Sequence, residues 1–402
     1  MNELHAPTIQ KRPTQRIFAL LFLSAIGTTL FFSAIPIYLR SIGLSTAQTA
    51  LIVASTALPN MVLGARFGRW VDRSPKKLLF LWLSITLAMV EACLVFALAG
   101  VHPEYLFWAS AANMQVAAML FSPLSTLTYQ YVIPSLDADE TRAFAGWEVA
   151  SGIASICAAG ASLAVLMSQP VRVILIVDAF TLVVAGGLIY RWWPDGANAS
   201  DTVETADNKR AALQMLKSDP LLMRTAIAMF AVAFTIHAFE ANVALVSYDA
   251  LRWSDSTSIA LAAVLGAVSS ASAWMLQRYS AAMSGRILQG QKFCLTGYIV
   301  IAAGLWLAFQ FEFSILAVVA LIAIAIVEPI WSVATTRFVR SRTPAGRYGE
   351  IHGLIRMPRA LFTMAGATLF GYAHDAGWLW LFAALGCALL LAIRVSMRLR
   401  SK

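Results

Sequence analysis

Charge is what this chain has least of. Asp, Glu, Lys and Arg make up 13% of its 402 residues, hydrophobic residues make up 59%, and the mean hydropathy is +0.71. A soluble globular chain carries about a quarter charged residues, so this much apolar surface has no soluble core to enter. Cysteine is scarce too. Cys93, Cys157, Cys294 and Cys387 fall inside apolar runs without paired spacing. Their spacing suggests neither a disulfide framework nor a metal site, and the four read as small buried hydrophobes. No His-Glu-x-x-His, Gly-x-Ser-x-Gly or phosphate-loop pattern occurs. An enzyme, a cofactor and a nucleotide-driven pump are therefore not expected. The period-2 alternation that a membrane barrel needs is missing as well. A cleavable leader is not expected, because the apolar run after Arg16 is too long for a signal-peptide core.

What the chain does have is apolar runs of about 20 residues, each long enough to cross a hydrocarbon layer as a helix that satisfies its own backbone. They fall near 17–39, 47–67, 78–100, 105–131, 143–168, 171–193, 221–246, 256–277, 292–311, 313–337, 351–373 and 376–396. The longest polar stretch, 194–220, divides them six and six, into halves 1–193 and 221–402 with a linker between. The net charge of +9 is explained by placement. With the N-terminus inside, 27 of the 30 Lys and Arg fall on the inner side and only Arg40, Arg172 and Arg252 outside. Basic residues resist translocation, so both termini are expected in the cytoplasm and a nucleic-acid partner is not expected.

The stretch between spans two and three is the most specific: Gly64-Ala-Arg-Phe-Gly68-Arg69-Trp-Val-Asp72-Arg73-Ser-Pro75-Lys76-Lys77. It resembles the loop signature of the major facilitator superfamily, a Gly followed four residues later by Asp-Arg and then a basic pair. Pro75 stands where that family usually has Gly. The physics suits a gate: Gly68 lets helices approach closely, and Asp72 can sit at the positive N-terminus of another helix. Lys76 and Lys77 would anchor the inner face. The matching loop of the second half, 277–291, has no acidic residue, so a gate is expected to rest on Asp72 and Arg73. Within the superfamily the chain resembles the branch of the enterobactin exporter and macrolide efflux proteins. The residues that carry this are the opening of span one from Arg16 to Gly27, Leu175-Ile-Val-Asp178-Ala-Phe180, and Arg342-Thr343-Pro344-Ala-Gly346-Arg347. The antiporter signature of span five is incomplete: Gly152 and Gly160 are present, but Ala161 stands where Pro would be.

An ionisable side chain inside a span costs at least roughly 2.5 kcal/mol on insertion scales, so each is a candidate for function. These are Glu91, Glu148, Asp178, His237, Glu240 and Glu328. His237 and Glu240 lie three apart on one helix face and suit proton uptake, or equally a structural hydrogen bond. Glu328 shares a stripe with Trp331 and Thr335 beside Pro329. Asp178 reads as a cap or helix-pairing group, and Glu148 as a carboxylate near the inner end. On span eleven Arg356 is expected to snorkel to the inner interface. Arg359, deeper, is expected to pair with Glu328, attract an anionic solute or close a gate. Trp147 and Trp331 are candidate plates for an aromatic solute.

The resemblance implies an all-α membrane protein of twelve transmembrane helices, in two six-helix halves related by a pseudo-two-fold. It implies a monomeric secondary transporter of the bacterial inner membrane that exports a siderophore or drug-like molecule by alternating access, with proton antiport as its drive. A sugar or amino-acid exchanger of the same fold, and a lipid-handling or non-transporting membrane protein, are the alternatives. Small organic solute, protons and lipid are the expected partners.

Overall fold

The computed structural model describes residues 19–23, 25–26, 44, 46–98, 103–137, 139–168, 172–193, 211–241, 255–279, 287–344 and 347–399. Most of expected span one, and residues 194–210 of the linker, lie outside these. All regular structure among the described residues is helical: α1 (Thr46–Ser55), α2 (Leu58–Arg73), α3 (Lys76–Leu98), α4 (Pro103–Leu127), α5 (Glu140–Ser168), α6 (Arg172–Arg191), α7 (Ala211–Ser218), α8 (Pro220–Ala241), α9 (Asp255–Arg278), α10 (Ile287–Gln310), α11 (Ser314–Ser341), α12 (Tyr348–Asp375) and α13 (Leu379–Leu399). The four helical stretches Phe107–Ser135, Pro220–Phe239, Gly290–Gln310 and Ser314–Ser341 are long and apolar enough by themselves to cross a membrane. Large apolar side chains such as Trp82, Phe293, Val300 and Ile315 point outward. In a bilayer such faces meet lipid. Cys93 and Cys157 are also exposed, so only Cys294 is fully buried as expected from the sequence.

Several boundaries differ from the sequence reading, each for a local reason. Span two is two helices, broken at Thr56 and Ala57, because Pro59 lacks an amide hydrogen and suits a helix start. The Gly64–Arg73 stretch is helix rather than loop. The helix runs through Asp72 and stops at Ser74, whose extended backbone (ψ 154°) is what a residue before proline adopts. Span four does not end as α-helix. It widens into a π turn at Thr128–Val132 and tightens into a 3₁₀ turn at Ile133–Ser135. Span eleven starts earlier than expected, at Tyr348. Part of the polar linker is itself the short helix α7.

Two hydrophobic cores form. One draws on residues between Leu216 and Leu390, the other on residues between Leu20 and Trp193 with Leu276 and Val333 added. Within the first half α3 packs on α6 and α4. Within the second, α10 packs on α11 and α13, and α8 on α12. The halves meet chiefly through two helix pairs, α5 with α9 and α2 with α12. These pairs exchange under the pseudo-two-fold, since α2 and α9 are the second helices, and α5 and α12 the fifth helices, of their halves. Both pairs are built on small residues, as helix contacts in lipid are. On α2 and α12 the residues are Gly64 and Gly68 against Gly349 and Gly353. A Cβ at Gly68 would lie 1.9 Å from the Gly349 carbonyl oxygen, and one at Gly353 2.1 Å from that of Gly64. On α5 and α9, a Cβ at Gly152 would lie 2.2 Å from the Ser270 hydroxyl.

Backbone cannot yield at such distances, so a larger residue must separate the helices. Gly353→Val is expected to cost roughly 1–3 kcal/mol, the usual price of overpacking, and to take it from the contact between halves. Disulfide yield between Arg69→Cys and Glu350→Cys should fall sharply in that background while the protein still elutes as a single species. Unchanged yield would contradict the close-packed crossing.

Candidate functional site

At the end of the molecule where basic residues concentrate, the first turn of α12 has a problem of its own making. Its first amides have no intrahelical partner, and the N-cap residue, Arg347, makes no side-chain cap. Asp72, from the last turn of α2 in the other half, supplies the missing acceptor. Its Oδ1 takes the Gly349 amide at 2.8 Å and its Oδ2 the Glu350 amide at 2.8 Å. The negative charge faces the positive end of the helix dipole. The hydroxyl of Tyr131, carried on the π turn, also donates to Oδ1. Lys76 is buried over the Tyr131 ring, 4.9 Å from its centroid, with Nζ 3.4 Å from the Asp72 carbonyl oxygen. Lys77 lies over Tyr190 and Arg73 closes α2.

Further bonds join the halves at this end. Arg69 meets Glu350 at 3.5 Å. Arg340 reaches Glu140 at 2.8 Å and the Gln130 carbonyl oxygen at 2.5 Å while stacking on Tyr348, and Arg337 donates to Thr141. The motif expected at Gly68, Asp72, Arg73, Lys76 and Lys77 thus sits in one place. Its partners Tyr131, Glu350, Arg340 and Glu140 were not singled out from the sequence.

Nearer the middle of the spans, the candidates separate into three groups. Glu91 on α3 and Asp178 on α6 are both buried and lie against each other. One oxygen of each, Glu91 Oε2 and Asp178 Oδ1, is left without a partner. In the second group Glu328 on α11 accepts from the hydroxyl of buried Tyr298. Trp331 packs edge-on to the same ring, 5.9 Å between centroids, inside the core that runs from Leu216 to Leu390. It is therefore a core residue and not a wall of the cavity described next. Glu328 does not ion-pair with Arg359. Glu148 on α5 accepts from Ser332 on α11 at 2.7 Å, a bond between the halves and not a group reaching for the interface.

In the third group Tyr129 and Trp147 line a cavity of about 210 Å³ in the first half, which is also bounded by Leu21, Phe80, Ser125 and Leu182 among others. Trp147 donates to the Tyr129 hydroxyl at 2.9 Å, with the rings edge to face. Arg356 reaches Ser125 of this wall at 3.3 Å. It does not snorkel, because α12 begins a turn earlier than expected and carries Arg356 into the contact between halves. Arg359 donates to His237 Nε2 at 2.9 Å, and Gln130 donates to His352 Nδ1 at 3.1 Å. The side chains of Glu240 and of Ala161, where the antiporter signature would have Pro, lie outside the described residues. Among the described residues no group of His, Cys, Asp and Glu is placed to hold a metal.

A family model described as Major Facilitator Superfamily matches residues 17–367. No curated protein sequence matches the chain. Solved structures share its fold. A bacterial homologue of the iron transporter ferroportin, in an outward-facing state, superposes with a TM-score of 0.73 at 13% identity, covering 96% of this chain and 99% of that one. The human organic anion transporter MFSD10 (TETRAN) gives 0.71 at 14% identity, covering 96% and 99%. The proton:xylose symporter XylE gives 0.75 at 12% identity, covering 95% of each.

Burial pushes the Asp72 carboxyl up to about 6, against the pull of Tyr131, the two amides and Lys76, so at neutral pH it is ionised. Burial pushes neighbouring Glu350 up as well, against the pull of Arg69. A carboxyl that binds its proton more tightly when docked than when free favours docking as protons are added. The gain is complete near the ordinary carboxylate value and is lost as pH rises through about 6. Spin labels at Arg142→Cys and Ser341→Cys, in a cysteine-free background, should show more of the short-distance population on going from neutral pH to pH near 5. Asp72→Ala should flatten most of that response. A shift toward longer distances on acidification would contradict it.

Proposed function

The chain belongs to the Major Facilitator Superfamily, and from that premise we propose that it is a proton-coupled exporter of a siderophore or drug-like organic molecule, working by alternating access. Members of this family are multi-pass membrane proteins that carry small solutes and are not enzymes, and this chain is such a transporter. In this reading it acts as a monomer in a bacterial inner membrane, as two six-helix halves, 1–193 and 221–402, joined by a cytoplasmic linker. The inward bias of its Lys and Arg makes the basic end cytoplasmic. The state described above is then one closed toward the cytoplasm, and release of Asp72 from α12 is the step that opens it.

The observation that carries proton coupling is the bond between Glu148 and Ser332. Glu148 belongs to the first half and Ser332 to the second, so gain or loss of a proton at this carboxyl acts directly on a contact that alternating access must make and break. Glu328, held by the Tyr298 hydroxyl, is a second carboxyl bonded to a neutral group in the same region. Glu91 and Asp178 are a further pair of buried carboxyls, on neighbouring helices. A neighbour in fold is a proton:xylose symporter, which supports a reading with proton coupling. The described cavity offers hydroxyls and rings but no Asn or Gln, which weighs against a sugar or amino-acid exchanger.

In everted membrane vesicles from a strain lacking the native gene, the restored chain should take up at least one member of a panel of catecholate siderophores, macrolides and cationic dyes. Collapse of the proton gradient should abolish that uptake, and Glu148→Gln should uncouple it so that uptake no longer responds to the gradient. Uptake that persists without a gradient would sink proton coupling, and failure across the whole panel would sink the solute class.

A further inference from the structure

Span eleven carries one polar stripe, His352, Arg356, Arg359 and Thr363, at spacings of four, three and four that keep them on one helix face. This face reaches the wall of the first-half cavity through the bond from Arg356 to Ser125, and Tyr129 of the wall lies within electrostatic reach of both arginines and of Glu148. The stripe carries two full positive charges one turn apart. Arg359 is oriented by His237, but a guanidinium only donates, so Nε2 of His237 must accept and the ring is neutral in that bond. It positions Arg359 and adds no counter-charge. Among the residues with described side chains, no carboxylate lies within ion-pair distance of either guanidinium. Glu148 and Glu328 turn instead to Ser332 and Tyr298.

Two like charges one turn apart in a membrane interior repel each other and forgo hydration, so an anionic group that comes to lie beside them is favoured. A cationic solute has no acidic group on the cavity wall to meet. A planar anionic group suits the fork of a guanidinium, and the rings of Tyr129 and Trp147 suit an aromatic body. We infer that Arg356 and Arg359 hold the acidic group of an aromatic organic anion whose ring lies against Tyr129 and Trp147. This narrows the proposed function to acidic solutes and rests on its reading of the cavity as the solute's site, but not on the direction or the ion coupling.

The test is equilibrium dialysis of the purified full-length chain in detergent, near neutral pH, against three probes of one shape: naphthoate, naphthamide and naphthylmethylammonium. Naphthoate should bind about tenfold or more tighter than naphthamide. Arg356→Gln and Arg359→Gln should each remove most of that preference, and Arg356→Lys should keep part of it. Elution as a single species checks that each variant is folded. If the Gln variants do not fold, the wild-type ranking and the Lys variant decide. The inference is overturned if the wild type binds the amide or the ammonium as well as the carboxylate, if it does not bind the carboxylate at all, or if folded Gln variants keep the preference. Because binding in detergent needs no gradient, lost preference beside intact proton-driven uptake removes the anion assignment alone. Intact preference with uptake indifferent to the gradient removes the coupling alone.

Discussion

One carboxylate completing the open end of a helix in the other half is the interaction on which the described state depends. The first turn of α12 lacks a cap of its own, and Asp72 provides it from α2. Hydrogen bonds to a charged group contribute about 1.5–3 kcal/mol each, and an unsatisfied buried amide costs a similar amount. The bond exists only because the helices touch backbone to backbone at Gly68 and Gly349. Glycine and aspartate therefore act as a unit: the first brings the helix end within reach and the second satisfies it. Tyr131, lifted into place by the π turn, and Arg69 with Glu350 are fitted around that contact.

The same closeness shapes the middle of the protein. With α2 against α12 and α5 against α9, charged side chains between the halves have little choice of neighbour. Glu148 finds Ser332, Glu328 finds Tyr298, and Arg359 finds His237. Each partner is neutral. Bonds to neutral groups hold these charges in position. In the proposed reading the latch at the basic end sets which side is closed, and the charges in the middle give protons and solute a purchase on that equilibrium.

Much of this was legible before any coordinates. The helical class followed from run length and the scarcity of charge, and Gly68 and Asp72 stood out because glycine and a solitary acid among basic residues have few cheap explanations. What Asp72 binds was not legible, because Gly349 and Glu350 lie 277 and 278 residues away and nothing local marks them. Tyr129, Gln130 and Tyr131 are ordinary members of an apolar run until a π turn rotates all three toward neighbours. Glu91 and Asp178 were each visible as expensive residues, yet their pairing depends on how α3 packs on α6. Arg356 was misjudged because span eleven begins at Tyr348, earlier than its apolar character does. Trp331 was misjudged because an indole beside a carboxylate looks the same in sequence whether it faces a cavity or a core.

Hydrogen exchange at two amides tests the central claim most directly. In the intact protein the Gly349 and Glu350 amides should be protected well beyond what the first turn of an uncapped helix allows. In Asp72→Ala they should exchange fast while the amides from Ile355 onward keep their protection. Equal protection of those two amides in both proteins would show that Asp72 does not hold the end of α12, and the account of the closed state would fall with it.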